Sequence, residues 1–113
     1  MPVSNAAELD KLIRSLKILR DSTHERVELT TVLALLYVAR GEDTSLGVGK
    51  RLNLTSGSSS RTISRLRDIA TRSGHGYGFI ESADDWRDRR NKVLSLTPKG
   101  EDIVRRVLEA RNS

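Results

Sequence analysis

The chain has 113 residues, 36% of them hydrophobic and 31% charged, and carries a formal net charge of +5 at pH 7. A chain of this length is expected to form one domain, residues 1–113, that needs neither a disulfide nor a metal to fold. It contains no cysteine, which excludes thiolate metal sites, cysteine nucleophiles and cysteine redox switches.

The first two predicted helices supply much of the expected core. Residues 5–20 predict an amphipathic helix whose one apolar stripe is Leu9, Leu12, Ile13, Leu16 and Leu19. A second helix begins within residues 24–30, is apolar nearly all round over 32–39, and ends at Gly41. Cations interrupt the first segment and the second apolar run is too short for a bilayer, so we expect a cytoplasmic protein without a membrane partner.

The next two predicted helices form a hairpin. A short third helix, capped by Asp43 or Thr44, ends near Leu52, and a longer fourth helix, capped by Thr55, ends near Thr71. The residues expected to form the turn and lock the pair are Val48, Gly49, Leu52, Asn53, Leu54 and Ile63. The predicted buried stripe of the fourth helix is Ser59, Ile63, Leu66 and Ile69 or Ala70. A short helix, a tight turn and a longer helix make a helix-turn-helix.

The C-terminal part adds a β-hairpin and a closing helix. Residues 71–78 contain three glycines and predict a flexible loop. Strands are predicted at 79–81 and 92–96, joined by a polar hairpin, and a cap followed by proline begins a last helix at 98–111. The apolar face of that helix is Ile103, Val104, Val107 and Leu108. The predicted fold is therefore mainly α with a small β-hairpin, a winged helix-turn-helix of order α-α-α-α-β-β-α with its wing at 79–96.

The positive charge is concentrated in one third of the chain. Residues 44–80 contain six lysines and arginines against one acidic residue, whereas the segments on either side are nearly neutral. A concentrated basic segment is typical of a protein that binds a polyanion. A solvated basic helix face without a partner is the alternative.

The fourth helix has an outward face of short hydroxyl and arginine side chains. Short side chains let a helix lie deep in the DNA major groove, and arginine can bind guanine O6 and N7 together. The predicted contacts on this helix are Ser56, Ser58, Ser60, Arg61, Ser64 and Arg65, and the predicted phosphate contacts are Lys50, Arg51, Arg67 and Lys92. The alternative is a serine-rich helix start that only caps itself.

A motif in the wing is more specific than these patterns. Residues 85–100 read Asp-Trp-Arg-Asp-Arg-Arg-Asn-Lys-Val-Leu-Ser-Leu-Thr-Pro-Lys-Gly. This segment closely resembles the wing of the multiple-antibiotic-resistance regulator (MarR) family. That pattern is Asp, two variable residues, Asp-Arg-Arg, a strand ending Ser-Leu-Thr, then Pro-Lys-Gly. The resemblance covers about residues 27–108 and includes the pairs at 54–55, 60–61 and 65–66 in family order.

The resemblance implies that Arg90 reaches from the wing tip into the minor groove, oriented by Asp88, with Arg87 and Arg89 also at the DNA. The negative potential of a narrow groove attracts a guanidinium. The alternative is an exposed ion pair worth about 0–1 kcal/mol. Trp86 departs from the family pattern and either presses on deoxyribose or packs across the hairpin.

The resemblance also implies a homodimer on a palindromic site in double-stranded DNA. Dimerisation helices are expected at residues 1–22 and 98–113, flanking a DNA-binding lobe at 27–97. The chain stops near the point where the family's additional C-terminal helix would begin. Many relatives bind phenolic or lipophilic ligands in a cleft that this helix helps to form, so we expect no small-molecule effector here. No cofactor or metal site is predicted.

The predicted function is a sequence-specific DNA-binding regulator of transcription that represses by occupying promoters. No histidine lies near the Ser58–Ser60 cluster, so we do not expect an enzyme. Two alternatives remain open. One is a replication, plasmid-maintenance, phage or viral DNA-binding factor, and the other is a winged-helix protein-interaction module without a DNA target.

Overall fold

The computed structural model describes residues 5–23, 26–67, 70–71 and 74–112. Its helices are α1 (Ala6–Ser22), α2 (Leu29–Arg40), α3 (Ser45–Arg51), α4 (Ser56–Leu66) and α5 (Pro98–Asn112). Its strands are β1 (Ala70–Thr71), β2 (Gly74–His75), β3 (Ile80–Asp85) and β4 (Asp88–Leu96), paired β1 with β2 and β3 with β4, both antiparallel. The predicted winged helix-turn-helix is confirmed. The short β1–β2 pair is an addition within a segment that was predicted to be a loop.

Side-chain caps define the starts of three helices, as the sequence predicted. The hydroxyl of Thr44 accepts from the backbone N–H of Gly47 at 3.0 Å, and that of Thr55 accepts from the N–H of Ser58 at 3.1 Å. Thr97 accepts in the same way from the N–H of Gly100 at 3.0 Å. Each bond satisfies an N–H that has no partner within its helix. Between α3 and α4, Asn53 has a left-handed φ of 54°, so the predicted tight turn is confirmed.

The core surrounds α2. Its buried apolar side chains come from every helix and from the base of the hairpin: Leu19, Val32, Ala34, Leu35, Val38, Val48, Ile63, Leu66, Phe79, Ile80, Leu94, Ile103 and Val107. Helix α2 is apolar nearly all round, as predicted, because it contacts α3, α4, α5 and β4. The interior that results fixes α3, α4 and the hairpin relative to one another.

Most of the predicted apolar stripe of α1 is exposed on the surface of the chain. Leu19 is buried, but Leu9, Leu12, Ile13 and Leu16 are 42–48% exposed. The buried polar residue of this helix is Ser15, whose hydroxyl donates to the carbonyl of Val107 at 2.8 Å. Helix α1 packs against α5, and most of its apolar stripe stays exposed. Leu108, on the predicted apolar face of α5, is 52% exposed.

Helix α4 ends at Leu66 rather than near Thr71 as predicted. The backbone N–H groups of Tyr77 and Phe79 donate to the carbonyls of Arg65 and Leu66, each at 2.8 Å. The last carbonyls of the helix are therefore satisfied by the segment before β3, and a further helical turn is not needed. The predicted buried residues Ser59, Ile63 and Leu66 are confirmed. Ile69 lies outside the described residues.

The hairpin is longer than the predicted strands at 79–81 and 92–96. Its ladder runs from Ile80 opposite Leu96 to Asp84 opposite Lys92, with an irregularity at Asp84–Asp85 and a turn at Trp86–Arg87. Residues 82–91, predicted as a polar connection, are mostly strand, because a two-stranded ribbon that leaves the core can pair its backbone with polar side chains on both faces. The two strands together match the predicted wing at 79–96.

Candidate nucleic-acid interface

Helices α3 and α4 and strand β4 enclose an open cleft of about 480 Å³. We call it the helix-turn-helix–wing cleft. The predicted site residues that line it are Lys50, Ser56, Ser60, Ser64, Arg67, Arg90 and Lys92. The structure therefore brings together half of the predicted contacts, which come from parts of the chain up to 42 positions apart.

The cleft is positively charged. Its described lining includes four basic side chains, Lys50, Arg67, Arg90 and Lys92, and no acidic one. Lys92 and Arg90 each form an ion pair with a carboxylate on their own hairpin, Asp84 and Asp88 respectively. A concave surface lined by one sign of charge concentrates its field and attracts an elongated anion.

The N-terminal part of α4 presents a smooth, small-residue surface beside the cleft. Ser56, Gly57 and Ser60 are exposed, and nothing lies within 4 Å of the position that a Cβ of Gly57 would occupy. Arg61 is also exposed, and its guanidinium donates to the hydroxyl of Ser58 at 3.2 Å. A large flat ligand can therefore approach the first two turns of α4 without meeting a bulky side chain other than Arg61.

Two of the predicted arginine contacts are not in the cleft lining and pair with acidic residues. The guanidinium of Arg65 pairs with the carboxylate of Glu28 at 2.5 Å. That of Arg51 pairs with Glu42 at 3.0 Å and lies 6.0 Å from the ring centroid of Tyr37. Both arginines are thus held on the flanks by acidic neighbours. The side chain of Arg89 lies outside the described part of the structure.

Two aspartates organise the wing. The buried carboxylate of Asp85 accepts from the backbone N–H of Arg87 at 3.0 Å and from its Nε at 3.3 Å. Asp88 accepts from the backbone N–H and Nε of Arg90 at the same two distances, so the predicted Asp88–Arg90 pair is present. The tip is the turn at Trp86–Arg87. Arg90 lies on β4 and faces the cleft, so its predicted position at the tip is wrong.

These hydrogen bonds make the wing sensitive to acid. The backbone N–H of Arg87 lowers the pKa of Asp85 against the opposing effect of burial, and that of Arg90 lowers the pKa of Asp88. A carboxyl group whose pKa is lower in the folded state stabilises the fold above its ordinary pKa of about 3.9 and loses this effect as the pH falls through the folded value. Thermal unfolding should therefore show stability falling below about pH 4, with a shallower fall in Asp85→Asn.

The control for this pH series is Asp10→Asn, which removes an exposed carboxylate from α1. Its unfolding temperature should follow that of the wild type across the series. Parallel curves for Asp85→Asn and the wild type would show that the wing carboxylates do not contribute to the acid dependence.

A network of hydrogen bonds connects the wing to the start of α3. Oδ1 of Asn91 accepts from the hydroxyl of Ser45 at 3.0 Å and from the backbone N–H of Leu46 at 3.1 Å. The N–H of Lys92 donates to the same Ser45 hydroxyl at 2.9 Å, and the N–H of Leu94 donates to the carbonyl of Asp43 at 2.7 Å. The orientation of the wing is therefore fixed relative to the helix-turn-helix.

Sequence reasoning did not find Asn91 or Ser45. Asparagine is disfavoured in strands, so an asparagine within a strand is the signal that could have indicated a specific side-chain role. Because its partners are 45 and 46 positions away in the chain, no local pattern identifies them.

Asn91→Ala should lower the free energy of unfolding by about 1 kcal/mol, because the half-buried Ser45 hydroxyl and the exposed Leu46 N–H both lose their acceptor. Urea denaturation measures the change. Ser95→Ala, on an exposed position of the same strand, is the matched control and should be within about 0.5 kcal/mol of the wild type. Equal stability of Asn91→Ala and Ser95→Ala would contradict the coupling.

Among the described residues, no helix is both long enough and apolar enough to cross a membrane. In the same part of the chain, no three histidine, aspartate or glutamate side chains come close enough together to hold a metal ion.

No protein-family model matches the sequence, and a search of curated proteins finds no significant match. Solved structures do match. The chain aligns with the crystal structure of MarR over 97% of its own length and 77% of that chain, with a TM-score of 0.63 and 23% identity. The chain has the MarR-like winged-helix fold. The sequence resemblance in the wing is thus matched by the path of the whole backbone.

Two further structures support the same assignment. The MepR–DNA complex of S. aureus aligns with 88% of this chain and 74% of that one, with a TM-score of 0.68 and 17% identity. The regulator Tm0710 of Thermotoga maritima aligns with 90% of this chain and 65% of that one, with a TM-score of 0.67 and 20% identity. The chain spans about two thirds to three quarters of these MarR-like proteins.

Proposed function

We propose that the protein is a sequence-specific regulator of transcription that binds double-stranded DNA through the helix-turn-helix–wing cleft. The observation that carries this proposal is the cleft itself, where α3, α4 and β4 bring Lys50, Arg67, Arg90 and Lys92 around a surface with no acidic residue in its described lining. The MarR-like fold supports it, since MepR, which shares that fold, was solved with DNA.

In this proposal α4 lies in the major groove. An α-helix with its side chains is about 10–12 Å wide and the major groove about 12 Å, so short side chains allow close approach. Ser56, Ser60 and Ser64 supply that surface, and Arg61 reaches a guanine edge. Lys50, Arg67 and Lys92 contact phosphates, and Arg90 enters the minor groove. Arg51 and Arg65 contribute only if their glutamate partners release them.

The same proposal includes a homodimer. The exposed apolar side chains of α1 together with Leu108 of α5 form what we call the terminal-helix face: Leu9, Leu12, Ile13, Leu16 and Leu108. The four α1 residues are spaced three and four apart and so share one face of the helix, and an exposed apolar patch marks a protein interface. A two-fold dimer through this face would place two copies of α4 about 34–36 Å apart and would prefer a palindromic site. Such a dimer represses transcription by occupying a promoter, and it acts in the cell compartment that holds the DNA.

Selection of bound duplexes from a random pool, followed by a salt titration on the selected sequence, tests the proposal. If the five cations placed at the DNA, Lys50, Arg61, Arg67, Arg90 and Lys92, each displace about one counterion, log K should fall with log salt at a slope of about −4 to −5 per subunit. A slope near zero, or a selected pool with no common sequence, would overturn it. Sites confined to a replication origin rather than promoters would reassign the protein to replication.

A further inference from the structure

Trp86 is the residue of the wing that the proposed contacts leave unexplained. It is 88% exposed at the tip of the hairpin, so it does not pack across the strands, which was one of its two predicted roles. Tryptophan is among the most buried residue types on average. An indole exposed to water at the turn of the hairpin indicates a binding partner outside the chain.

The turn does not require a tryptophan. Two-residue hairpin turns favour asparagine and glycine because these residues tolerate positive φ. Among the described non-glycine residues only Asn53 has a positive φ, so the Trp86–Arg87 turn makes no such demand. It is closed by the carboxylate of Asp85, which accepts from the backbone N–H of Arg87. The backbone conformation of the turn therefore does not depend on the side chain at position 86.

The surroundings of the indole are cationic. The guanidinium of Arg87 lies 5.7 Å from the Trp86 ring centroid, and Arg90, on the adjacent strand, is 89% exposed. Of the acidic residues within two positions of Trp86, Asp85 and Asp88 pair with these arginines and Asp84 pairs with Lys92. An apolar ring among cations complements a polyanion that also offers apolar surface, as the sugar walls of a DNA groove do.

From this geometry we infer that Trp86 enters the DNA minor groove at the wing tip, with Arg87 orienting its ring. This inference rests on the proposed function. Apolar side chains inserted into the minor groove are a known way to grip and bend a duplex. The indole N–H can in addition donate to the acceptors that both A·T and T·A pairs present there.

The chain contains one tryptophan, so its intrinsic fluorescence reports on this residue alone. In the free protein we expect emission typical of an indole in water and strong quenching by acrylamide. Saturation with an unlabelled duplex of the selected sequence should shift the emission to shorter wavelength or quench it. It should also lower the acrylamide quenching constant severalfold, because the groove excludes the quencher.

The affinity arm uses Trp86→Ala, Trp86→Phe and a fluorescently labelled duplex read by anisotropy. Trp86→Ala should weaken binding roughly tenfold, as the loss of an aromatic contact with nucleic acid typically does. The slope of log K against log salt should not change, because no charge is removed. Trp86→Phe should recover part of the affinity. Circular dichroism checks that both variants fold, as the exposure of Trp86 predicts.

The outcomes distinguish a failure of this inference from a failure of the proposed function. If the labelled duplex binds with the expected salt dependence while acrylamide quenching is unchanged and Trp86→Ala binds like the wild type, the inference is overturned and the proposed function stands. If neither the selected duplex nor a random-sequence duplex binds at low salt, the proposed function fails and the inference with it. Protected fluorescence with reduced affinity in Trp86→Ala confirms the inference.

Discussion

The double substitution of Leu12→Glu and Leu16→Glu is expected to make the protein monomeric. It should also weaken binding to a palindromic duplex by a hundredfold or more, on the order of the avidity lost when two linked contacts become one. Both leucines are 48% exposed on α1. In the proposed dimer they would be covered by a second copy, where a carboxylate without a partner is strongly unfavourable. Sedimentation velocity gives the oligomeric state, and anisotropy of a labelled palindromic duplex gives the affinity.

The double variant should still fold, because the contacts that hold α1 to the rest of the chain are elsewhere on that helix. Leu19 is buried in the core, and Ser15 donates to the carbonyl of Val107. Leu29→Glu is the matched control, since Leu29 is an apolar residue of α2 that is 67% exposed and lies outside the terminal-helix face. It should sediment as the wild type does. A dimeric double variant would show that this face is not the interface.

Local signals in the sequence predicted the helix-turn-helix well. The caps at Thr44, Thr55 and Thr97 and the left-handed turn at Asn53 all appear in the structure. Each depends on hydrogen bonds or steric limits within a few residues, so the chain near the residue is sufficient to decide it. For the same reason the starts of α3, α4 and α5 are more accurate than the predicted end of α4.

Features decided by distant partners were predicted less well. Periodicity shows that a helix has an apolar stripe but not what covers it, and most of the stripe on α1 is uncovered. The end of α4 depends on Tyr77 and Phe79, whose N–H groups reach the last helical carbonyls from more than ten positions away. Strand pairing likewise extended the hairpin through polar residues that alternation would not assign to a strand.

The candidate site likewise combines features that the local sequence predicts with features that distant residues decide. The sequence shows that one third of the chain carries the excess of positive charge, but it does not show which of the basic side chains face the same surface. Glu28 and Glu42 hold Arg65 and Arg51 away from the cleft, while Lys92, from the nearly neutral C-terminal part, lines it. Asn91 connects the two halves of the site through partners that no local pattern names.

Arg90→Ala is expected to weaken DNA binding by about 1–3 kcal/mol, the size of a good direct contact with a base. The side chain is 89% exposed, lines the cleft, and is oriented through its backbone N–H and Nε by Asp88. In the minor groove a guanidinium meets the strongest negative potential where the groove is narrow, at A/T-rich sequence. The loss should therefore be larger on duplexes with A/T-rich flanks than on those with G/C-rich flanks.

Titrations at several salt concentrations separate this local role from a general effect of charge. Removing one cation at the DNA should reduce the salt slope by about 1. Arg105→Ala is the control, because Arg105 is an exposed arginine of α5 that pairs with Asp102 and Glu109 far from the cleft in the chain. It removes the same formal charge but no proposed contact. Only a side chain in the groove can respond to the flanking sequence. An equal loss of affinity in both variants, independent of the flanks, would therefore show that the effect comes from net charge and that Arg90 is not part of the interface.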